Sequence, residues 1–127
     1  SALRHGRVMA FDYGLELDEF FVPPRKDGTL RAYYRHQASE ALFARVGEQD
    51  LTASVNFTTI RNVGEFAGLK SEPMRAQEKF LVNIFEQTLK EPDRFPEWTA
   101  KRRRQFQTLI HPEHLGRQFQ VLQQVKD

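Results

Sequence analysis

The sequence contains no cysteine among its 127 residues. This absence excludes a disulfide framework, a thiolate zinc site and a cysteine nucleophile. No apolar run approaches the ~20 residues that a membrane-spanning helix needs, and the N-terminal segment lacks the continuous apolar stretch of a secretory signal. We therefore expect a cytoplasmic protein that has no membrane partner.

Complete catalytic motifs are also missing. There is no Gly-x-Ser-x-Gly motif, and the segment from Gly64 to Gly68 lacks the Lys-Ser/Thr ending of a phosphate-binding loop. His111 and His114 are close enough in sequence to approach one metal, but no third ligand stands at a set spacing. The sequence thus predicts no catalytic residue, no metal site and no cofactor, and it favours a protein that is not an enzyme.

Length and composition predict one compact domain over residues 1–127. The chain is 39% hydrophobic and 28% charged, which excludes disorder as the dominant state. Domains commonly have ~100–150 residues, and a chain of this size buries enough surface to fold without a disulfide or a metal.

Three segments have the alternating pattern of antiparallel strands, at about 8–22, 29–35 and 51–60. In the first, odd positions from Met9 to Leu17 are apolar and even positions are mostly acidic or small, which is typical of a half-buried strand. The segment 29–47 also fits a helix, because its apolar residues repeat at helical spacing as well. We favour a short strand followed by a helix at about 39–46.

The second half of the chain has helical periodicity. It predicts three helices, at about 71–90, 96–110 and 112–125, with Ser71 as the N-cap of the first. Strands followed by helices, without a repeating β–α–β order, indicate an α+β fold.

The strongest charge feature is the run from Lys101 to Arg104, within a segment from Arg94 to Arg117 that has a net charge of +4. Such clusters bind phosphates with little sequence preference. Consecutive helical residues point in different directions, so a solvated helix is an equally good interpretation. The predicted nucleic-acid contacts on this helix are Trp98, Lys101, Arg103 and Arg104.

A second candidate surface lies in the segment Arg31 to His36. On a strand, Arg31, Tyr33 and Arg35 share a face, which places a ring able to stack on a base between two cations. These three residues complete the predicted nucleic-acid site, although ordinary surface arginines beside core tyrosines would give the same pattern.

Two weaker motifs lead to other hypotheses. The residues from Val63 to Met74 partly fit a helix-turn-helix, which would place the following helix in the major groove. Asp12, Glu16 and Asp18 share one face of a continuous strand, where they could bind Mg²⁺ in a metal-assisted hydrolase. A charged, solvent-facing strand surface explains the carboxylates more simply.

These observations favour a small non-enzymatic binding domain that engages nucleic acid through a basic helical face. The alternative is a protein–protein module or homo-oligomer that uses opposed faces: an acidic one from Asp12 to Glu19 and a basic one from Lys101 to Arg104.

Overall fold

The computed structural model describes residues 3–35 and 37–127, with positions 114 and 115 described at the level of the backbone. The strands and helices in chain order are β1 (Gly6–Leu15), β2 (Arg31–Tyr34), β3 (Gln37–Ser39), β4 (Asp50–Thr52), β5 (Val55–Asn56), α1 (Phe57–Phe66), β6 (Lys70–Ser71), β7 (Arg75–Ala76), α2 (Gln77–Lys90), α3 (Ala100–Ile110) and β8 (Phe119–Lys126). Two short 3₁₀ helices, Leu17–Phe21 and Pro23–Arg25, follow β1, and a π-helical turn, Pro112–Gly116, precedes β8.

The main sheet has the order β5-β1-β8-β6, and β7 pairs with β8 on the same side as β6. β1 and β8 are antiparallel along their length, from Gly6 opposite Lys126 to Tyr13 opposite Phe119. β5 pairs in parallel only with the last two residues of β1. β8 is therefore the central strand.

Helices cover both faces of this sheet. Phe57, which begins α1 and is 1% exposed, lies against Gly14 on one face. On the other face the ring of Phe80 from α2 contacts the ring of Phe11, with centroids 5.3 Å apart. Side chains of a strand alternate between faces, so both faces of β8 are covered and its middle residues, 121–124, are buried.

A second, smaller sheet has the order β3-β2-β4, and all its pairs are antiparallel. Its register places Arg31 opposite Thr52 and Tyr33 opposite Asp50. Residues directly opposite each other project from the same face, so these four side chains share one face. Ala32, which is fully buried, belongs to the other face.

The predicted α+β class is confirmed, with strands in the N-terminal part followed by helices in broad outline. The strand predicted at 29–35 is β2, and the helix predicted at 96–110 is α3 with a later start. No helix in the described part of the chain is both long and apolar enough to cross a membrane.

The helix predicted at 112–125 is wrong, because this segment forms the π-helical turn and then β8. The helical spacing of Phe119, Leu122 and Val125 was misleading. A central strand buried on both faces does not show the alternating pattern. Gln123 and Gln124 add to the error, because these two polar residues are buried in β8.

The strand predicted at 51–60 is also partly wrong, because α1 starts at Phe57. The side chain of Asn56 accepts a hydrogen bond from the backbone N–H of Thr59 at 3.0 Å, and this N-cap begins the helix. The first predicted strand ends earlier than expected, at Leu15, since Glu16 and Glu19 form a capping box that starts a 3₁₀ helix.

Two further predictions fail between residues 39 and 77. The helix at about 39–46 is absent, because β3 ends at Ser39 and turns follow. The helix-turn-helix is wrong, because Ser71 lies in β6 and α2 does not start until Gln77. Pairing of β6 and β7 with β8 uses the segment that the motif assigned to its second helix.

Candidate functional site

Two cavities flank the carboxyl end of β1. The first, which we call the β2 cavity, has a volume of about 690 Å³ and lies between Tyr13 and the small sheet. The second, the Arg61 cavity, has a volume of about 670 Å³ and is lined by Gly14, Leu15 and Glu16. Gln118 borders both. Ligand sites are concave and combine apolar walls with a few convergent polar groups, so this end of β1 is the candidate site.

The β2 cavity is lined mainly by polar side chains of the small sheet and the residues beside it. They are Thr29, Arg31, Tyr33, Arg35, Asp50, Thr52 and Ser54. The register of β2 and β4 explains the convergence, since it places four of these side chains on one face. The backbone N–H of Ser54 donates to the hydroxyl of Thr29 at 3.1 Å, which ties the segment after β4 to the start of β2.

The charged groups of the two cavities differ in their pairing. In the Arg61 cavity, Arg61 contacts the carboxylate of Glu16 at 2.7 Å, and Arg117 lies 3.9 Å from the carboxylate of Glu78. In the β2 cavity, by contrast, Arg31, Arg35 and Asp50 form no ion pair with any described residue. The β2 cavity therefore keeps its charges available for a ligand.

The resolved pKa shifts lie at the other end of β8. Lys70 donates to the carboxylate of Asp127 at 2.5 Å. This contact lowers the pKa of the Asp127 carboxyl and raises the pKa of the Lys70 ammonium. Both side chains are largely exposed, and their pairing lies far along the strand from the cavities.

The structure separates the predicted nucleic-acid residues into two groups. Arg31, Tyr33 and Arg35 line the β2 cavity. The other four, Trp98, Lys101, Arg103 and Arg104, belong to α3 and the segment before it, and none of them lines either cavity.

Trp98 has a clear packing role. Its ring contacts those of Phe85 and Phe106, with centroids 4.7 and 5.4 Å away, and its indole N–H donates to the hydroxyl of Thr88 at 2.8 Å. The cluster joins α3 to α2. A binding role for the basic residues of α3 stays a prediction.

Sequence reasoning missed Tyr13, Asp50, Thr52 and Gln118 as cavity residues. They come from three separate segments and meet only through the pairing of β2 with β4 and of β1 with β8. The alternation of Asp50 and Thr52 was the one local signal, because it places both on one face of a strand.

The metal hypothesis finds no support in the described residues, which contain no group of three or more histidine or acidic side chains arranged for a metal. The side chain of His114, one of the candidate ligands, lies outside the described residues. Asp18 instead accepts a hydrogen bond from the backbone N–H of Glu19 at 3.1 Å, and Glu16 is paired with Arg61.

Comparison with known proteins decides the family. Residues 1–74 match the family model described as "putative S-adenosyl-L-methionine-dependent methyltransferase", which we call the methyltransferase family. The match covers more than half of the chain. The chain belongs to this family. No curated protein matches it.

Two solved structures from Burkholderia thailandensis resemble this member of the methyltransferase family. One, an uncharacterized COG1565 superfamily protein, is 29% identical with a TM-score of 0.76 and covers 96% of this chain. The other, a COG1565 superfamily member bound to S-adenosyl-homocysteine, is 30% identical with a TM-score of 0.75 and covers 95%. The chain spans about a third of the length of each, 33% and 32%.

Membership of the methyltransferase family contradicts the prediction of a non-enzymatic nucleic-acid-binding domain. It also corrects the predicted partner, since the ligand of the second relative is a small molecule. The sequence lacks the complete motifs of hydrolases and of phosphate-binding loops, and this absence favoured a protein that is not an enzyme. A methyltransferase needs neither, because its cofactor brings the reactive group.

Proposed function

We propose that this chain forms the acceptor-binding side of an S-adenosyl-L-methionine-dependent methyltransferase, and that the β2 cavity receives the methyl acceptor. The observation that carries the proposal is the relative bound to S-adenosyl-homocysteine, the demethylated cofactor, which matches 95% of this chain at 30% identity. The volume and the polar lining of the cavity support it.

Three glycines of this chain, Gly14, Gly64 and Gly116, offer the cofactor no cradle. A cofactor cradle needs a glycine where the backbone can approach the ligand closely. Here a Cβ at Gly14 would overlap the ring of Phe57, one at Gly64 would overlap Gln124, and one at Gly116 would overlap the backbone of Ile110. These glycines allow close packing within the chain. The two guanidinium groups of the β2 cavity would also repel the sulfonium of the cofactor.

We therefore place the residues that hold the cofactor in the two thirds of the family chain that this sequence does not match. The edge of β1 supports this arrangement. Among the described residues, β1 has no strand on its outer side before Gly14. Its side chains are exposed there, with Val8 at 45% and Met9 at 52%. Exposed apolar edge strands readily accept another strand, and we assign this place to a strand from the remaining two thirds.

A chimera tests the proposal. The segment of the S-adenosyl-homocysteine-bound relative that aligns with this chain is replaced by residues 1–127, and S-adenosyl-homocysteine is titrated by calorimetry. We expect a dissociation constant within about tenfold of the relative's, a difference of about 1.4 kcal/mol. A chimera that unfolds cooperatively on heating, yet releases no heat of binding, would contradict the proposal.

A further inference from the structure

The β2 cavity carries a more specific inference, which rests on the proposed function. We infer that the cavity binds an oxyanion, a carboxylate or a phosphate, of a small-molecule methyl acceptor through Arg31 and Arg35. The separation of charges in the cavity, the backbone of Arg35 and the cavity volume support it in turn.

Arg31 is held in place by its strand while its guanidinium is free. It pairs with Thr52 across the small sheet, and no described residue forms a hydrogen bond or an ion pair with its side chain. Arginine presents a planar fork of donors that matches a carboxylate or a phosphate. The guanidinium of Arg31 and the hydroxyl of Thr52, on paired strands, can therefore donate hydrogen bonds to such a group.

Arg35 is placed at the cavity by a turn. The turn joins β2 to β3, where Tyr34 pairs with Gln37. The φ of Arg35 is 49°, the left-handed conformation that tight hairpin turns use. The guanidinium lies 5.2 Å from the ring centre of Tyr34, and Arg35 lines the cavity.

Asp50 adds a negative charge to the cavity, separate from the two arginines. It stands opposite Tyr33 and forms no ion pair with either arginine. The cavity thus presents two cations, Arg31 and Arg35, and one carboxylate, that of Asp50. The ring of Tyr33 lies between the two arginines in sequence and opposite Asp50 in the strand register. A ligand that complements it has an oxyanion for the arginines, a planar or apolar body for the ring, and a hydrogen-bond donor for Asp50.

The volume is compatible with a small-molecule acceptor. About 690 Å³ lies within the ~300–1,000 Å³ typical of small-molecule sites. We therefore assign the cavity to a small molecule, and the test below includes an acidic peptide as the competing acceptor.

Titration of the 127-residue chain with two probes at an ionic strength of ~0.15 M, where the Debye length is ~8 Å, tests this assignment. The probes are inorganic phosphate and benzoate, followed by the NMR signals of the arginine side-chain Nε–H groups. Arg31→Gln and Arg35→Gln remove one cation each from the cavity. Arg103→Gln is the matched control, because it removes the same charge from the exposed surface of α3.

We expect saturable binding of at least one probe. Each cavity variant should weaken it about tenfold or more, the cost of losing a hydrogen bond to a charged group, whereas the control should weaken it less than about twofold, because an exposed distant charge is screened. Tighter binding of phosphate would identify a phosphate ester, and tighter binding of benzoate a carboxylate. Circular dichroism confirms that each variant is folded.

Three results would overturn the inference. They are no saturable binding of either probe, an equal loss in the Arg103→Gln control, or a glutamate-rich peptide that binds more tightly than both probes and depends on the same two arginines. S-adenosyl-homocysteine binding by the chimera is measured separately. If the chimera binds S-adenosyl-homocysteine but the 127-residue chain binds neither anion, only the inferred anion site is contradicted. If the chain binds an anion but the chimera does not bind S-adenosyl-homocysteine, only the proposed function is contradicted.

Discussion

Gly14 determines how closely α1 approaches β1. It lies near the end of β1, and a Cβ at this position would overlap the ring of Phe57, which is 1% exposed. Protein interiors are packed as densely as organic crystals, so an added methyl group must displace its neighbours. Tyr13, the preceding residue, lines the β2 cavity, and its ring contacts that of Phe119 with centroids 4.1 Å apart.

We predict that Gly14→Ala lowers the free energy of unfolding by about 2–3 kcal/mol, the usual cost of overpacking a core. Urea denaturation measures the change. Phe57→Leu is the second variant of a double-mutant cycle. If the overlap is the cause, the double variant loses less stability than the two single variants together. Additive losses would show that Gly14 is needed for some other reason.

Arg35 gives the opposite prediction. Arg35→Gly removes the strain of a non-glycine residue at a φ of 49°. The left-handed region costs such a residue about 1–2 kcal/mol, and the greater freedom of glycine in the unfolded chain offsets about 0.5–1 kcal/mol of this. The free energy of unfolding should therefore stay the same or rise by up to about 1 kcal/mol. A loss of more than about 1 kcal/mol in urea denaturation would contradict this explanation of the backbone.

At the scale of elements, the aromatic cluster of α2 and α3 makes Trp98 a packing residue. We predict that Trp98→Ala lowers the free energy of unfolding by about 1–3 kcal/mol, less than the ~3–5 kcal/mol of a fully buried aromatic, because the Trp98 side chain is half-buried. Thr88→Val should cost about 1–3 kcal/mol, because the indole N–H loses its acceptor. Chemical denaturation checks both. If both variants change the free energy of unfolding by close to zero, the packing of α3 on α2 does not depend on the cluster.

The free edge of β1 distinguishes the chain alone from the chimera. Met9→Lys adds a charge at a side chain that is 52% exposed in this chain. The free energy of unfolding of the chain alone should therefore change by less than about 0.5 kcal/mol. In the chimera the added strand would bury this position, and the same variant should cost about 1–3 kcal/mol. Phe43→Lys, at a position that is 91% exposed in the turns after β3, is the control. Equal effects of Met9→Lys in both proteins would contradict a strand at this edge.

The elements differ in how well the sequence predicts them. β2 and α3 were predicted nearly in place, because their patterns are local. β8 was not predicted, because its burial on two faces depends on helices far away in the chain. Its polar pair is satisfied only by distant groups: Gln123 donates to Glu72 at 2.6 Å, and Gln124 donates to the carbonyl of Arg61 and the hydroxyl of Ser71, both at 2.9 Å.

At the scale of the whole molecule, the candidate site was predictable in part. The alternation of Arg31, Tyr33 and Arg35 placed three of the cavity residues on one face. The sequence could not show that β4 would bring Asp50 and Thr52 beside them, since pairing between distant strands leaves no local pattern. The chemistry of the ligand was also misjudged, because the same arginines and tyrosine suit a nucleic acid and a small anion equally well.

In the function that we propose, methyl transfer is divided between this chain and the rest of the family fold. This chain would supply the cavity for the acceptor, while its Gly14, Gly64 and Gly116 pack against Phe57, Gln124 and Ile110. The division requires that cofactor affinity depend on the two thirds of the family chain that this sequence does not match.

The most direct test is to compare S-adenosyl-homocysteine binding by the 127-residue chain alone with binding by the chimera, in the same calorimeter and buffer. The account predicts that the chimera binds at least about 100-fold more tightly, a difference of about 2.7 kcal/mol. Equal dissociation constants for the two proteins would contradict it, because the cofactor would then be held by this chain itself.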